Sequence, residues 1–337
     1  PHMDQYLKFS KIVREIYMRY SSEVEAFGID ESWIELTGSP LLKERTPHEI
    51  ADEIRNTVKS EVGLSVSIGI SFNKIFAKLG SDMKKPDAVT EIGRDTFRDQ
   101  VWPLPVSDLL YVGRATAEKL GRYCIRTIGD LANTERDILR SLLGINGEKI
   151  WAYANGLDAS RVMPCDYTPP IKSIGHGITC TADLVSESEV RGVFLELSQD
   201  IGLKLRKQGL AANGVRITVR DNTLSHRQYQ CKLPFPTQSY LEIYDAGIDL
   251  FHRRYSWSNN IRSLTISAID LISADTPVQL DLWTDMSKHK RRIRLEETIE
   301  DIRRRFGLHA INFAAAGSMK IPVQSDIEYK MPSVMYQ

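Results

Sequence analysis

Cysteine is scarce in this 337-residue chain: Cys124, Cys165, Cys180 and Cys231 stand far apart, with no C-x-x-C pair. That argues against a disulfide framework or a thiolate metal site and suits a reducing cytoplasm. No run of about 18 apolar residues occurs, which excludes a membrane-spanning helix and a membrane partner of that kind. The start, Pro1-His2-Met3-Asp4-Gln5, lacks the basic stretch and apolar core of a signal peptide. Net charge is lacking too, since 44 Lys+Arg balance 44 Asp+Glu. The balance hides local structure: Lys288-His289-Lys290-Arg291-Arg292-Ile293-Arg294 carries five positive charges in seven residues. Nucleic-acid binding depends on such patches, so neutrality overall does not exclude it. No repeat of solenoid period is present, and the histidines show no ligand spacing. What remains is an ordinary globular composition, 42% hydrophobic and 26% charged, long enough for two or three domains.

Periodicity sets out the elements. Residues 5–20 place Leu7, Ile12, Val13, Ile16 and Tyr17 near helical spacing. Val24, Phe27, Ile29, Trp33, Ile34 and Leu36 favour two short strands, with Asp30-Glu31 at their bend. Thr46-Pro47-His48-Glu49 opens a helix with a capping box and a first-turn proline. Ile50, Ile54 and Val58 share one face of it, and Gly63 ends it. Residues 64–70 alternate like a strand, a helix runs from about 72 to 83, and a strand begins near 88. The sum is ββαβαβ, an α+β layered sheet with helices on one face. Beyond Trp102-Pro103-Leu104-Pro105 only helical segments appear as far as about 162, predicting a small all-α domain. Tyr167-Thr168-Pro169-Pro170 is a stiff linker. Strand 172–180, helix 187–208, strands 212–221 and 226–235, helix 238–255 and strand 262–272 then predict a second α+β domain in β-α-β-β-α-β order. The tail holds one helix, 295–306.

Asp30-Glu31 is the first chemical candidate. A polar bend facing solvent is the plain alternative for two adjacent carboxylates. Apolar strands on both sides would hold this pair rigidly, however, and Lys74, Lys78, Lys84 and Lys85 recur downstream where they could face an anion. Mg²⁺ takes one or two carboxylates plus substrate phosphate oxygens, which this set could supply.

Two strings carry a family resemblance. Phe27-Gly28-Ile29-Asp30-Glu31-Ser32-Trp33-Ile34-Glu35-Leu36-Thr37 resembles the central palm motif of Y-family translesion DNA polymerases. The string from Ser67-Ile68-Gly69 through Asn73-Lys74 to Ser81-Asp82-Met83-Lys84-Lys85-Pro86 resembles that family equally and is highly specific. The likeness, to the bacterial DinB/UmuC-like branch, extends over nearly the whole chain. It implies a partial palm at 1–102, a thumb at 103–165, a linker at 166–171, a little finger at 172–275, and a clamp motif and tail at 276–337. By that resemblance Asp30 and Glu31 bind two Mg²⁺ ions and are catalytic, and Lys85 meets the triphosphate of the incoming dNTP. In-line nucleotidyl transfer develops charge on the attacking and leaving oxygens, which paired cations stabilise. Two departures stand beside the site: Gly28 replaces the usual serine, and Trp33 is the following aromatic. The family also begins with a palm strand bearing another metal-binding aspartate, followed by a fingers domain. No acidic residue between Asp4 and Glu25 has such a context. The expectation is a polymerase lacking its N-terminal part, unable to extend a primer alone.

Leu109-Leu110-Tyr111-Val112-Gly113-Arg114-Ala115-Thr116-Ala117-Glu118-Lys119-Leu120 resembles a helix-hairpin-helix, with Tyr111 in place of its first glycine. Such a turn aims N–H groups at a DNA phosphate, and Gly113, Arg114, Thr116 and Lys119 are expected there. Lys172-Ser173-Ile174-Gly175 resembles the entry to the little finger, with Lys172 and Ser173 at the DNA. Arg216, Thr218 and Arg220 share one strand face, and Arg227 and Lys232 lie on the neighbouring strand; an open sheet face of this kind can lie along a duplex backbone. Gln279-Leu280-Asp281-Leu282-Trp283 resembles the bacterial sliding-clamp-binding motif, so Gln279, Leu280, Leu282 and Trp283 are the expected clamp contacts; core packing is the alternative for such a run. The function read from all this is template-directed synthesis across damaged DNA on primer–template DNA. The rivals are a non-catalytic DNA-binding accessory protein and a structure-specific nuclease.

Overall fold

The structure, a computed structural model, describes residues 2–277, 286–307 and 310–313. The chain divides between Pro169 and Pro170 into two compact units.

The first unit opens with α1 (Met3–Tyr17) and a hairpin of β1 (Val24–Ala26) and β2 (Ser32–Ile34). Next comes α2 (Pro47–Val62), whose capping box is formed by Thr46 and Glu49 as the sequence predicts. Ile50, Ile54 and Val58 are its buried face. Then β3 (Ile68–Ser71), α3 (Lys74–Met83) and β4 (Val89–Ile92) form a parallel β-α-β unit, because a helical crossover returns the chain in the same direction. The expected single layered sheet is corrected here. Among the described residues β1 pairs only with β2 and β3 only with β4. Strands of three and four residues offer few ladder bonds, and 64–67 stays outside any strand despite its alternation. A Cβ on Gly69 would fall 1.9 Å from the Ala77 carbonyl oxygen, so glycine alone lets α3 lie this close on β3.

After α4 (Phe97–Val101) come α5 (Arg114–Gly121), α6 (Ile128–Asn133), α7 (Arg136–Leu143) and α8 (Ile145–Ala154). Their core is not separate. One cluster joins Ile75, Phe76, Leu79 and Ile92 to Leu109, Leu120, Leu131 and Leu139. Aromatic rings line it on the N-terminal side: Phe72–Phe76 at 5.7 Å, Phe76–Phe97 at 5.4 Å and Phe97–Trp102 at 6.3 Å between centroids. Trp102 Nε1 donates to the Ala154 carbonyl at 3.1 Å.

The second unit follows the predicted β-α-β-β-α-β order: β5 (Ser173–Leu184), α9 (Glu187–Gln208), β6 (Leu210–Asp221), β7 (His226–Thr237), α10 (Tyr240–Arg254) and β8 (Ile261–Ser273). The four strands are antiparallel in the order β5-β8-β6-β7. Val215, Ile217 and Val219 turn inward into one core with residues of both helices. A final helix, α11 (Met286–Phe306), begins well before the predicted 295. Its Glu296 is fully buried and accepts from Ser239 Oγ at 2.6 Å and from the N–H groups of Tyr240 at 3.0 Å and Leu241 at 3.2 Å. It thereby satisfies first-turn donors of α10. No helix among the described residues is long and apolar enough to cross a membrane.

Candidate active site and nucleic-acid face

The β1–β2 bend carries the acidic pair. The Phe27 N–H donates to the Glu31 carbonyl at 2.8 Å and closes the turn. Gly28 has φ +88°, a left-handed conformation that costs a serine about 1–2 kcal/mol, so glycine suits this particular bend. Asp30 is exposed, and among the described residues its carboxylate has no hydrogen bond or ion pair. Glu31 Oε1 lies 3.0 Å from Lys78 Nζ. Both acids line a cleft of about 870 Å³ together with Lys74, Lys78, Lys85 and Arg94.

Beyond the turn the lysines are paired. Lys78 also binds Asp82, and Lys85 Nζ lies 2.7 Å from Asp82 Oδ1. Burial works to lower the Lys78 pKa, but hydrogen bonds to Asp82 and Glu31 outweigh it and push it up. Burial likewise works to raise Asp82, and the two lysines together hold it below its ordinary value. Arg94 and Arg161, to which no motif pointed, also line the cleft, as does Asp158 of the Asn155-Gly156-Leu157-Asp158 string that resembles the end of the family's thumb. Arg94 is held there by its guanidinium, 4.4 Å over the Phe72 ring.

The loop before α5 follows a single 3-10 turn, Val106–Asp108, and bends at the position where the expected motif has its first glycine. Tyr111 adopts φ +70°, its ring 60% exposed and 5.9 Å from that of Tyr153. Gly113 is the N-cap of α5, and no side chain caps the first turn. Arg114 is exposed and pairs with Glu118 at 2.7 Å, Thr116 is half-buried, and Lys119 binds the Leu142 carbonyl. These four residues therefore stand on one short helix but not all at its open end.

In the second unit, register defines an open sheet face. Gly175, Ser267, Arg216 and Gln230 form one row across it. Gly177, Thr265, Thr218 and Gln228 form the next, and Thr179, Ser263, Arg220 and His226 a third. Lys232 faces the same way, opposite Gly214. Arg227 does not. It pairs with Val219, and the two-residue period puts it on the helix-packed side at an exposed end, which corrects its grouping with Arg216 and Arg220. Arg216 Nε donates to Gln230 Oε1 at 3.3 Å and Arg220 Nε to the Leu224 carbonyl at 3.4 Å, both neutral acceptors. Lys172 is exposed just before β5, and Ser173 is the first residue of that strand. Gln279, Leu280, Leu282 and Trp283 lie outside the described residues.

Comparison with known proteins agrees with this geometry. Residues 1–82 match the impB/mucB/samB family, and residues 171–282 match the impB/mucB/samB family C-terminal domain. The chain is 42% identical over 306 residues to DNA polymerase IV of Acetivibrio thermocellus, covering 91% of this chain and 76% of that protein. It is 33% identical over 310 residues to DNA polymerase IV of Clostridium kluyveri, covering 90% and 76%. A solved Y-family DNA polymerase chimera of Dbh and Dpo4 shares the fold with a TM-score of 0.67 at 18% identity, covering 81% of this chain and 78% of that one. The chain belongs to the DinB-like branch of the Y-family DNA polymerases.

Proposed function

We propose that the protein performs template-directed DNA synthesis across damaged DNA in the cytoplasm, transferring a nucleotidyl group from a dNTP to a primer 3′-hydroxyl. In this reading residues 1–102 act as palm, 103–165 as thumb, 172–275 as little finger after a 166–171 linker, and 276–337 as clamp-binding motif and tail. The observation that carries it is the Asp30 carboxylate, unpaired among the described residues, beside Glu31 at a cleft also lined by Lys78 and Lys85.

The donor set suits Mg²⁺ as far as it goes. Asp30 and Glu31 offer hard oxygens, and among the described residues no group of three or more His, Cys, Asp or Glu side chains could hold a metal ion. Two carboxylates with dNTP phosphate oxygens completing the shell is a usual Mg²⁺ arrangement. Two such ions, when bound, would stabilise charge on the attacking and leaving oxygens. Asp30 is free to ligate at once, whereas Glu31 must first give up Lys78. Lys85 is exposed enough to leave Asp82 for the triphosphate, as a point charge. Arg216, Thr218, Arg220 and Lys232, with the backbone of the α5 first turn, support sequence-independent contacts to the duplex phosphates. About six such contacts would give a log–log salt slope near −5.

Primer extension by the full-length protein tests the site. Asp30→Ala should lower the rate by roughly a hundredfold to a thousandfold while primer–template affinity stays unchanged. Extension at the wild-type rate would return the acidic turn to a solvated bend. Clamp binding through Gln279, Leu280, Leu282 and Trp283 rests on the motif. A peptide of residues 276–285 should bind purified bacterial sliding clamp and lose that binding on Leu282→Ala with Trp283→Ala.

A further inference from the structure

The acidic turn is mounted on α3 at two points. Its tip is held where Lys78 meets Glu31. Its root is held one helical turn earlier by Lys74, the first residue of α3, which is stacked with Lys78 on the same helix face. Lys74 Nζ donates to both oxygens of Glu25, at 2.8 and 2.7 Å. It also lies 4.4 Å over the ring of Trp33, the cross-strand partner of Glu25. Trp33 Nε1 returns a hydrogen bond to the Lys74 carbonyl at 3.0 Å, and its ring lies 4.6 Å from that of Phe27, tilted by 41°; Phe27 opens the turn.

The same two charged groups hold a third segment. The Met163 N–H donates to Glu25 Oε2 at 2.8 Å, and Lys74 Nζ donates to the Arg161 carbonyl at 3.3 Å. Val162 between them is buried, and the Cys165 N–H donates to the Ser22 carbonyl at 3.1 Å, just before β1. The chain leaving the helical part of the first unit is thus laced to the strand that carries the acids. Side-chain exposure is only 12% for Lys74 and 19% for Glu25. Burying a charge pair is costly, and apolar residues would often hold a fold as well. Here the pair does what apolar residues cannot, since it fixes direction at three backbone segments at once.

We infer that Lys74 and Glu25 are positioning residues for the Asp30–Glu31 turn, and that they couple its placement to the segment 161–163. This rests on the proposed role of Asp30. A three-residue strand cannot by itself fix the angle of its turn, and a shift of about 1 Å at a reacting group can cost a hundredfold in rate.

The test uses the full-length protein with Lys74→Met, Glu25→Gln, the double variant, Lys74→Arg, and Asp30→Ala as control. Lys74→Met should lower kcat by about thirtyfold, leaving the KM for dNTP and primer–template affinity within about twofold. Lys74→Arg should recover most of the rate. The double variant leaves no unpaired charge, so it folds even if Lys74→Met does not, and it should remain slow. Amide exchange should speed up together in peptides spanning 24–34 and 159–165. A double variant at the wild-type kcat would show that only an orphaned charge had mattered and would overturn the inference, as would faster exchange in one peptide alone. If Asp30→Ala is inactive while folded Lys74→Met is fast, the inference alone fails. If Asp30→Ala is active, the proposed site fails, and the exchange measurement still decides the coupling.

Discussion

The lysines around the cleft of the first unit are already engaged: Lys74 with Glu25, Lys78 with Glu31 and Asp82, Lys85 with Asp82. On the open sheet face of the second unit, Arg216 and Arg220 hydrogen-bond, among the described residues, only to a neutral amide and a backbone carbonyl. A paired cation meets a new anion only by exchanging partners, so its location is strict and its attraction at a distance is weak. An unpaired one attracts any polyanion, and salt screens that attraction directly. Exchange suits a site that must place one triphosphate, and open charge suits a face that must hold any duplex.

The comparison has an exception to test first. Glu296 is a fully buried carboxylate in the second unit, and burial pushes its pKa up, against hydrogen bonds from Ser239, Leu241 and Tyr240 and the charge of Arg206. Glu296→Ala would leave those donors unsatisfied at the head of α10. The expected loss is about 3 kcal/mol of stability, read as a lowered melting transition of the second unit with primer extension chemistry unaffected at low temperature. Next, Lys85→Ala should raise the KM for dNTP roughly tenfold with little change in duplex affinity, the cost of one charge-assisted phosphate contact. An equal loss of duplex affinity would blur the distinction between the two regions. Neutralising Arg216 and Arg220 together should flatten the salt slope of DNA binding by about 2. An unchanged slope would mean that open charges, too, can be bystanders. The smallest effect is expected at Tyr111→Gly. Relief of its left-handed backbone should gain about 1 kcal/mol, and the lost contact with Tyr153 should return about as much. A melting shift beyond a few degrees in either direction would show which one dominates.

Legibility in the sequence followed element length. Strands of twelve or thirteen residues in the second unit repeat the two-residue alternation enough times to be unmistakable. In the first unit, β1 and β2 have three residues each, so alternation over 64–67 looked as convincing as any true strand. Asp30-Glu31 stood out because apolar residues flank it on both sides. Its supports did not: Glu25 and Lys74 lie 49 residues apart and Glu25 and Met163 lie 138 apart, and no local pattern encodes a meeting at that distance. Arg227 shows a milder limit. Alternation gives a face within one strand, but only the register with β6 relates that face to the next strand.

The ring series from Phe72 through Phe76 and Phe97 ends at Trp102, on the boundary itself, and the apolar core it joins continues past that point into the helical part. A modular hinge would place few contacts there, and here one buried cluster spans both sides. The helical part is therefore a poor candidate for exchange between relatives as a cassette cut at 102. Recombination at that point would separate Trp102 from its hydrogen-bond acceptor Ala154, whereas a crossover between Pro169 and Pro170 follows the division between the compact units.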